Sequence, residues 1–325
     1  MADLKQYFPM IQDRKEVLAK IHDKVELLKL FYSWTEEQQE EFLDFCTGVR
    51  GPRMLYDAFF KEVMNPESAP ERLNEFLSLI LGTPVRIHAV LPNDSTPLAD
   101  ESSLLITDIV VELKDGSLAN VEVQKIGYKF PGERSACYSA DLLLRQYKRV
   151  RSKKRKKFSY RDIKSVYNIV LFESSPEEFH KFPNVYIHRS EQKFDTGIKI
   201  ELLQKYVFIP IDIFKKTQHN KNITGKLNAW LMFFSAEEPE EIVKLIQAYP
   251  QFKPMYEEVY EMCRNTVQLM IDEMQEDLEQ KKVELEKQNK ELEKRNKEVE
   301  KQKAEIEQQK NVAERQKAEL ERQRG

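Results

Sequence analysis

The chain has 325 residues, 52 Lys and Arg against 55 Asp and Glu, a net charge of −3 and three cysteines; at roughly 150 residues per domain, this length suits about two domains, or one with an appendage. No apolar run approaches the ~18–20 residues that span a bilayer, and the start, Met1-Ala2-Asp3-Leu4-Lys5-Gln6, has no basic patch leading into an apolar stretch. Cys46, Cys137 and Cys263 are odd in number and far apart, which sets aside a disulfide scaffold or zinc site and leads us to expect a cytoplasmic protein with reduced core thiols.

The first hundred residues read mainly as helix. Thr35-Glu36-Glu37-Gln38 has the form of a capping box, and Phe42, Leu43, Phe45 and Cys46 follow at helical spacing. Gly48 to Pro52 breaks this helix, a second is expected from Met54 to Val63, and Asn65-Pro66 ends it. A third runs from about Ala69 to Leu81, with Leu73, Phe76, Leu77 and Ile80 on one face and Gly82 as its C′ residue.

The pattern then turns to strands. Val85 to Leu91 is β-branched and apolar, and Ser103 to Leu113 and Leu118 to Gln124 flank the hairpin signal Lys114-Asp115-Gly116-Ser117. Helical periodicity returns from Glu133 to Tyr147 through Ala136, Cys137, Ala140, Leu143 and Leu144. Val166–Phe172 and Tyr206–Ile213 read as short buried strands, and helices resume from Thr224. This order predicts a mixed α/β fold, one sheet covered by helices.

The C-terminal stretch differs in kind. Thirty of the 54 residues from Asp272 to Gly325 are charged, sixteen acidic and fourteen basic. Leu278, Leu285, Leu292, Val299, Ile306, Ala313 and Leu320 recur every seventh position, which argues for a long helix or coiled coil. The second seam is polar (Lys281, Gln288, Arg295, Gln302, Gln309, Gln316, Gln323), so both self-association through 271–325 and a lone charged helix remain open.

Candidate chemistry lies on the two strands of the hairpin. Glu122 and Gln124 are two residues apart and share one strand face. Asp108 joins them or not according to the turn. A two-residue Asp115-Gly116 turn sets Asp108 opposite Val123, on the wrong face. A three-residue Lys114-Asp115-Gly116 loop, with Gly116 left-handed, sets it opposite Glu122. In that second register two carboxylates and an amide meet. Close like charges are tolerated when a cation neutralises them. Oxygen-only donors suit Mg²⁺ or Mn²⁺, which can activate water in phosphodiester cleavage. The plainer alternative has Asp108 capping a strand end and Glu122 facing solvent.

Lys148 to Lys157 carries eight basic residues in ten, among them Lys148, Arg149, Arg151, Lys153, Lys154 and Arg155. Such a cluster either grips a phosphate backbone or stays a solvated loop. The five histidines form no HxxxH or HxH pair, and there is no P-loop, G-x-G-x-x-G or G-x-S-x-G.

Asp108, the Asp-Gly turn, Glu122-Val123-Gln124 and Phe130-Pro131-Gly132-Glu133-Arg134-Ser135 resemble the PD-(D/E)XK nuclease family transposases, also called the Rpn or recombination-promoting nuclease family. The resemblance extends from Tyr56-Asp57-Ala58-Phe59-Phe60-Lys61, through Leu77-Ser78-Leu79-Ile80-Leu81-Gly82 and Val166-Tyr167-Asn168-Ile169-Val170-Leu171-Phe172, to Phe214-Lys215. It implies a restriction-endonuclease-like mixed α/β sheet flanked by helices, acting as a Mg²⁺- or Mn²⁺-dependent DNA endonuclease. Asp108 and Glu122 become metal ligands, with Glu75 at the place of an additional acidic residue. Gln124 stands where most of the wider superfamily has a catalytic lysine, and its neutral amide cannot supply that positive charge. Arg134, Tyr138 and Gln146 share one face of the following helix, with phosphate contact expected of Arg134 and Gln146. The implied organisation is a helical extension over 1–50, a nuclease-like core over 51–220, a helical part over 221–268 and the charged helix over 269–325. Two rivals fit the same residues: a catalytically inactive DNA-binding scaffold that self-associates through the C-terminal helix, and an adaptor in which that helix is the working part.

Overall fold

In the computed structural model, residues 3–91, 109–126, 132–190, 192–218 and 221–323 are described. They divide into two compact units, Met1–Glu273 and Met274–Gly325.

The first unit begins with three helices, α1 (Arg14–His22), α2 (Val25–Ser33) and α3 (Glu36–Thr47). The expected capping box starts α3. Thr35 Oγ1 accepts from the Gln38 N–H, and the Gln38 side chain accepts from the Thr35 N–H. Gly48 ends this helix in the left-handed conformation. Helices α4 (Asp57–Val63) and α5 (Pro70–Leu81) follow, the latter stopped by Gly82 as its spacing predicts. One turn in this region depends on glycine for space. The Gly51 N–H donates to the Glu237 carbonyl at 2.6 Å, and a Cβ there would lie 2.1 Å from Ile242 Cδ1.

The sheet has six strands in the order β1-β2-β3-β4-β6-β5. They are β1 (Ile87–Leu91), β2 (Ile109–Leu113), β3 (Leu118–Ile126), β4 (Val166–Ser174), β5 (His188–Arg189) and β6 (Gln204–Pro210). β1, β2 and β3 form an antiparallel meander, β3, β4 and β6 run parallel, and β5 adds an antiparallel edge. Parallel neighbours require a crossover. Between β3 and β4 it is α6 (Gly132–Lys154). β4 lies in the middle of the sheet, and six of its nine residues are buried, the continuous apolar reading expected of a strand covered on both faces.

Helix α6 closes one face of the sheet. Leu142 packs with Val110, Leu118 and Val166, and Tyr138 with Val170 and Phe172. Burying each large apolar side chain contributes about 1.5–3 kcal/mol. This helix runs seven residues beyond its expected end at Tyr147 and carries much of the basic run in regular structure. The strand expected over Tyr206–Ile213 ends at Pro210. From Ile211 the chain turns into α8 (Ile211–Gln218), after the single-turn α7 (Glu177–His180).

The remaining helices are α9 (Gly225–Ser235), α10 (Pro239–Ala248), α11 (Lys253–Asn265) and α12 (Val267–Gln323). Their core is aromatic: Trp230, Phe233, Phe234, Phe252 and Tyr256 make ring contacts centred 4.9–6.0 Å apart. The N-terminal segment belongs to the same core, with the Phe8 ring 5.1 Å from Tyr260 and Gln12 Nε2 donating to the Cys263 carbonyl at 3.5 Å. Cys46 and Cys263 are buried, and burial pushes both thiols well up. Cys137 corrects the expectation of three core thiols, because it is exposed on α6.

The first turns of α12 are also core. Ile271 is fully buried, and the Glu273 carboxylate accepts from the Ala58 N–H at 2.9 Å and pairs with Lys125 at 3.2 Å. The second unit, Met274–Gly325, is described as one helix through Gln323. Leu285, Leu292 and Val299 of the heptad seam are exposed there by 59%, 58% and 46%. No helix among the described residues is long and apolar enough to cross a membrane.

Candidate active site

The hairpin loop sets the register of the site. The Gly116 N–H donates to the Leu113 carbonyl at 2.9 Å and the Leu113 N–H to the Ser117 carbonyl at 2.8 Å. Three residues, Lys114 to Gly116, therefore close the turn, and Gly116 takes φ +87°, open to glycine without a Cβ clash. Asp115 reinforces the loop by accepting from the Ser117 N–H and hydroxyl at 2.9 and 2.8 Å. The ladder runs from Glu112↔Leu118 to Ile109↔Val121, which is the three-residue alternative of the two the sequence leaves open. Asp108 lies outside the described residues.

Glu122 and Gln124 point from β3 to the α6 side of the sheet. Glu122 is 4% exposed. Arg134, in the first turn of α6, brings Nη2 to 3.9 Å from Glu122 Oε1. That guanidinium is aimed by Tyr138 one turn on, whose hydroxyl accepts from Nε at 2.8 Å and Nη2 at 2.6 Å and whose ring lies 5.3 Å away. A charge-assisted, doubly bonded arginine holds one orientation. Since 39% of its side chain is exposed, Arg134 faces solvent beside a buried carboxylate. Gln124 is half-buried, next to Phe172 of β4. Lys125 takes the opposite face, as strand alternation requires, in its ion pair with Glu273 and with its ammonium 4.8 Å from the Tyr56 ring centroid.

Beneath Glu122 lies a polar ladder that the sequence reading passed over. Asn120 Nδ2 donates to Asn168 Oδ1 at 2.9 Å, and Asn168 Nδ2 donates to Ser135 Oγ and its carbonyl at 2.7 and 3.2 Å. Both asparagines are fully buried. Asparagine is depleted in strands, so two of them inside apolar strands were the available signal. The ladder fixes the start of α6, and hence Arg134, against β3 and β4.

Other expected site residues have structural partners. One carboxylate oxygen of Glu75 is ion-paired with Lys226 and the other accepts from Trp230 Nε1 at 3.1 Å, so both are committed to α9. Gln146 is 1% exposed, donating from Nε2 to the Gly116 carbonyl and accepting from the Lys164 N–H, both at 2.8 Å. It clamps the hairpin loop rather than presenting its amide to a phosphate. Arg149 pairs with Glu112 at 2.7 Å. Lys154 pairs with Asp162 and holds that carboxyl below the usual range. Lys148, Arg151, Lys153, Lys154 and Arg155 are exposed along the end of α6 and the short turn after it.

The described donors suit a hard cation in kind: a buried carboxylate and an amide oxygen on one face, without sulfur or imidazole. Among the described residues no group of three or more His, Cys, Asp or Glu could hold a metal ion. No curated protein and no solved structure matches the chain. A family model described as PD-(D/E)XK nuclease family transposase matches residues 54–277, from just before α4, across the whole sheet, to the first turns of α12. That stretch is more than half of the chain, and the chain belongs to the PD-(D/E)XK nuclease family transposases.

Proposed function

We propose that this chain is a metal-dependent DNA endonuclease whose centre is built on Glu122, Asp108 and Gln124. The observation that carries this reading is the buried Glu122 carboxylate, in the three-residue register, with an oriented Arg134 beside it. Asp108, which that register expectation sets opposite Glu122, would share Mg²⁺ or Mn²⁺ with it. Bound there, the ion supplies Lewis-acid stabilisation and an activated water. The amide of Gln124 would position a water or a phosphate oxygen. Its lack of positive charge is made up by Arg134, whose exposed guanidinium contacts the scissile phosphate. Glu75 would join the metal only on release from Lys226 and Trp230. The exposed cations after Tyr147 hold the DNA backbone, and the seam at Leu285, Leu292 and Val299 pairs two copies.

Cleavage of supercoiled plasmid by the full chain tests the reading. Nicking in Mg²⁺ or Mn²⁺ is expected to be lost with EDTA and to fall at least about a hundredfold in Asp108→Ala, Glu122→Gln and Arg134→Gln. Salt-sensitive DNA binding that survives Glu122→Gln, with no cleavage by any variant or metal, would instead support the inactive scaffold, which the neutral Gln124 favours. Pairing through the tail is checked by sedimentation of a chain ending at Gln280, which keeps Ile271 and Glu273 in the core and is expected to be monomeric.

A further inference from the structure

The end of α6 carries more than charge. Tyr147, Lys148, Arg151 and Ser152, four residues apart in pairs on α6, line one shallow concavity with Arg155 and Lys156 of the short turn that follows. At Arg155 the backbone enters the left-handed region with φ +45°, a conformation that non-glycine residues rarely hold. Beyond this reversal Phe158 and Tyr160 return onto Tyr147. Tyr160 lies nearly parallel to the Tyr147 ring, 11° between planes with centroids 6.0 Å apart, and Phe158 meets both rings edge-on at 5.5 and 5.4 Å. The Arg151 guanidinium sits 5.6 Å from the Tyr147 ring and donates to its hydroxyl. Tyr160 is nevertheless 73% exposed.

A lone surface tyrosine needs no explanation. A stacked tyrosine presenting its ring among exposed cations has a chemistry of its own. In duplex DNA the base faces are covered by their neighbours, so a protein surface meets phosphates and groove edges. Cations answer the phosphates of either form, whereas an open ring answers a base face, which is available only where bases are unstacked.

We propose that the Tyr147–Tyr160 platform and its surrounding lysines and arginines bind single-stranded DNA, with an unpaired base stacked on Tyr160 and the flanking phosphates on Lys148, Arg155 and Lys156. This deepens the nuclease reading, on which it rests for the choice of DNA: the substrate is DNA with an unpaired or opened stretch beside the cleavage centre.

The test is fluorescence anisotropy of the full chain in EDTA, so that cleavage plays no part. The probes are a labelled oligothymidylate of about 20 nucleotides, a duplex of the same length and an RNA of matching sequence. Tyr160→Ala is expected to weaken the single strand about tenfold and the duplex less than about twofold, while Tyr160→Phe keeps the ring and wild-type affinity. Lys148→Gln with Lys156→Gln is expected to weaken both DNA forms and flatten their salt dependence. Melting of each variant guards against unfolding, which the exposure of these side chains makes a small effect. Unchanged single-strand affinity in Tyr160→Ala, an equal loss on both DNA forms, absence of binding, or preference for the RNA overturns the proposal. Plasmid cleavage scored on the same preparations separates the two ideas. Cleavage with no role for Tyr160 removes the platform alone, and a Tyr160-dependent single-strand affinity without cleavage removes the nuclease alone.

Discussion

Replacing Gln146 separates a structural clamp from a DNA contact. Its amide bridges the Gly116 carbonyl and the Lys164 N–H at 2.8 Å each, joining the hairpin loop to the segment that enters β4. In Gln146→Leu the volume is nearly kept and both hydrogen bonds go. Each bond contributes about 1 kcal/mol net, and a buried group left unpaired costs about 1–3 kcal/mol. Lys164 is exposed and Gly116 half-buried, so water recovers part of that penalty. The expected loss is about 2 kcal/mol, a fall in Tm of about 3–4 °C for a unit of this size. Gln146→Glu is expected to lose more, because it keeps the acceptor toward Lys164 but sets a carboxylate oxygen against the Gly116 carbonyl. Thermal and urea unfolding of the full chain, followed by circular dichroism and tryptophan fluorescence, measures the loss. Anisotropy on duplex DNA is expected to change less than about twofold at temperatures where the variant is folded. A Gln146→Leu protein with unaltered stability and weakened DNA binding would refute the clamp and restore the phosphate contact.

Two other outcomes follow from the packing around Glu237. Gly51→Ala is expected to destabilise by about 1–3 kcal/mol, since its Cβ must displace buried Ile242 and crowd the Glu237 carbonyl at 3.1 Å; a chemical-denaturation curve superposing on wild type would show that this turn yields freely. Burial alone would raise the Glu237 carboxyl, but the charges of Lys215 and Arg53, the hydrogen bond from Lys215 and the charge of Arg50 hold it below the usual glutamate range. A group depressed in the folded state contributes stability that is complete above its unfolded pKa and lost as pH falls through its folded one. Wild-type stability is therefore expected to drop between about pH 5 and 3, with Glu237→Gln flatter over that window and less stable at pH 7 by about 1–2 kcal/mol; parallel pH profiles would rule out Glu237 as a source of the slope.

Local signals alone located the elements that have strong local signals. The Thr35 capping box, the Gly82 stop, the apolar face of α5, the Asp115-Gly116 turn and the buried run of β4 were legible because each depends on neighbours within a few residues. So was the pairing of Glu122 with Gln124 on one face, since strand alternation needs no tertiary information. Long-range packing decided the rest. Either hairpin register satisfies the same turn residues, and burial of the α6-facing side together with the Gln146 clamp accompanies the one adopted. Glu75 and Arg149 look like free surface charges in one dimension, yet Lys226, Trp230 and Glu112 come to meet them across the fold. The span 1–50 reads as an extension, and within it Phe8 and Gln12, ahead of α1, complete the core of α11 from more than 200 residues away. The span 269–325 reads as one charged helix, while Ile271 and Glu273 near its start belong to the core. Side chains such as these have partners distant in sequence, and the folded chain alone brings those partners together.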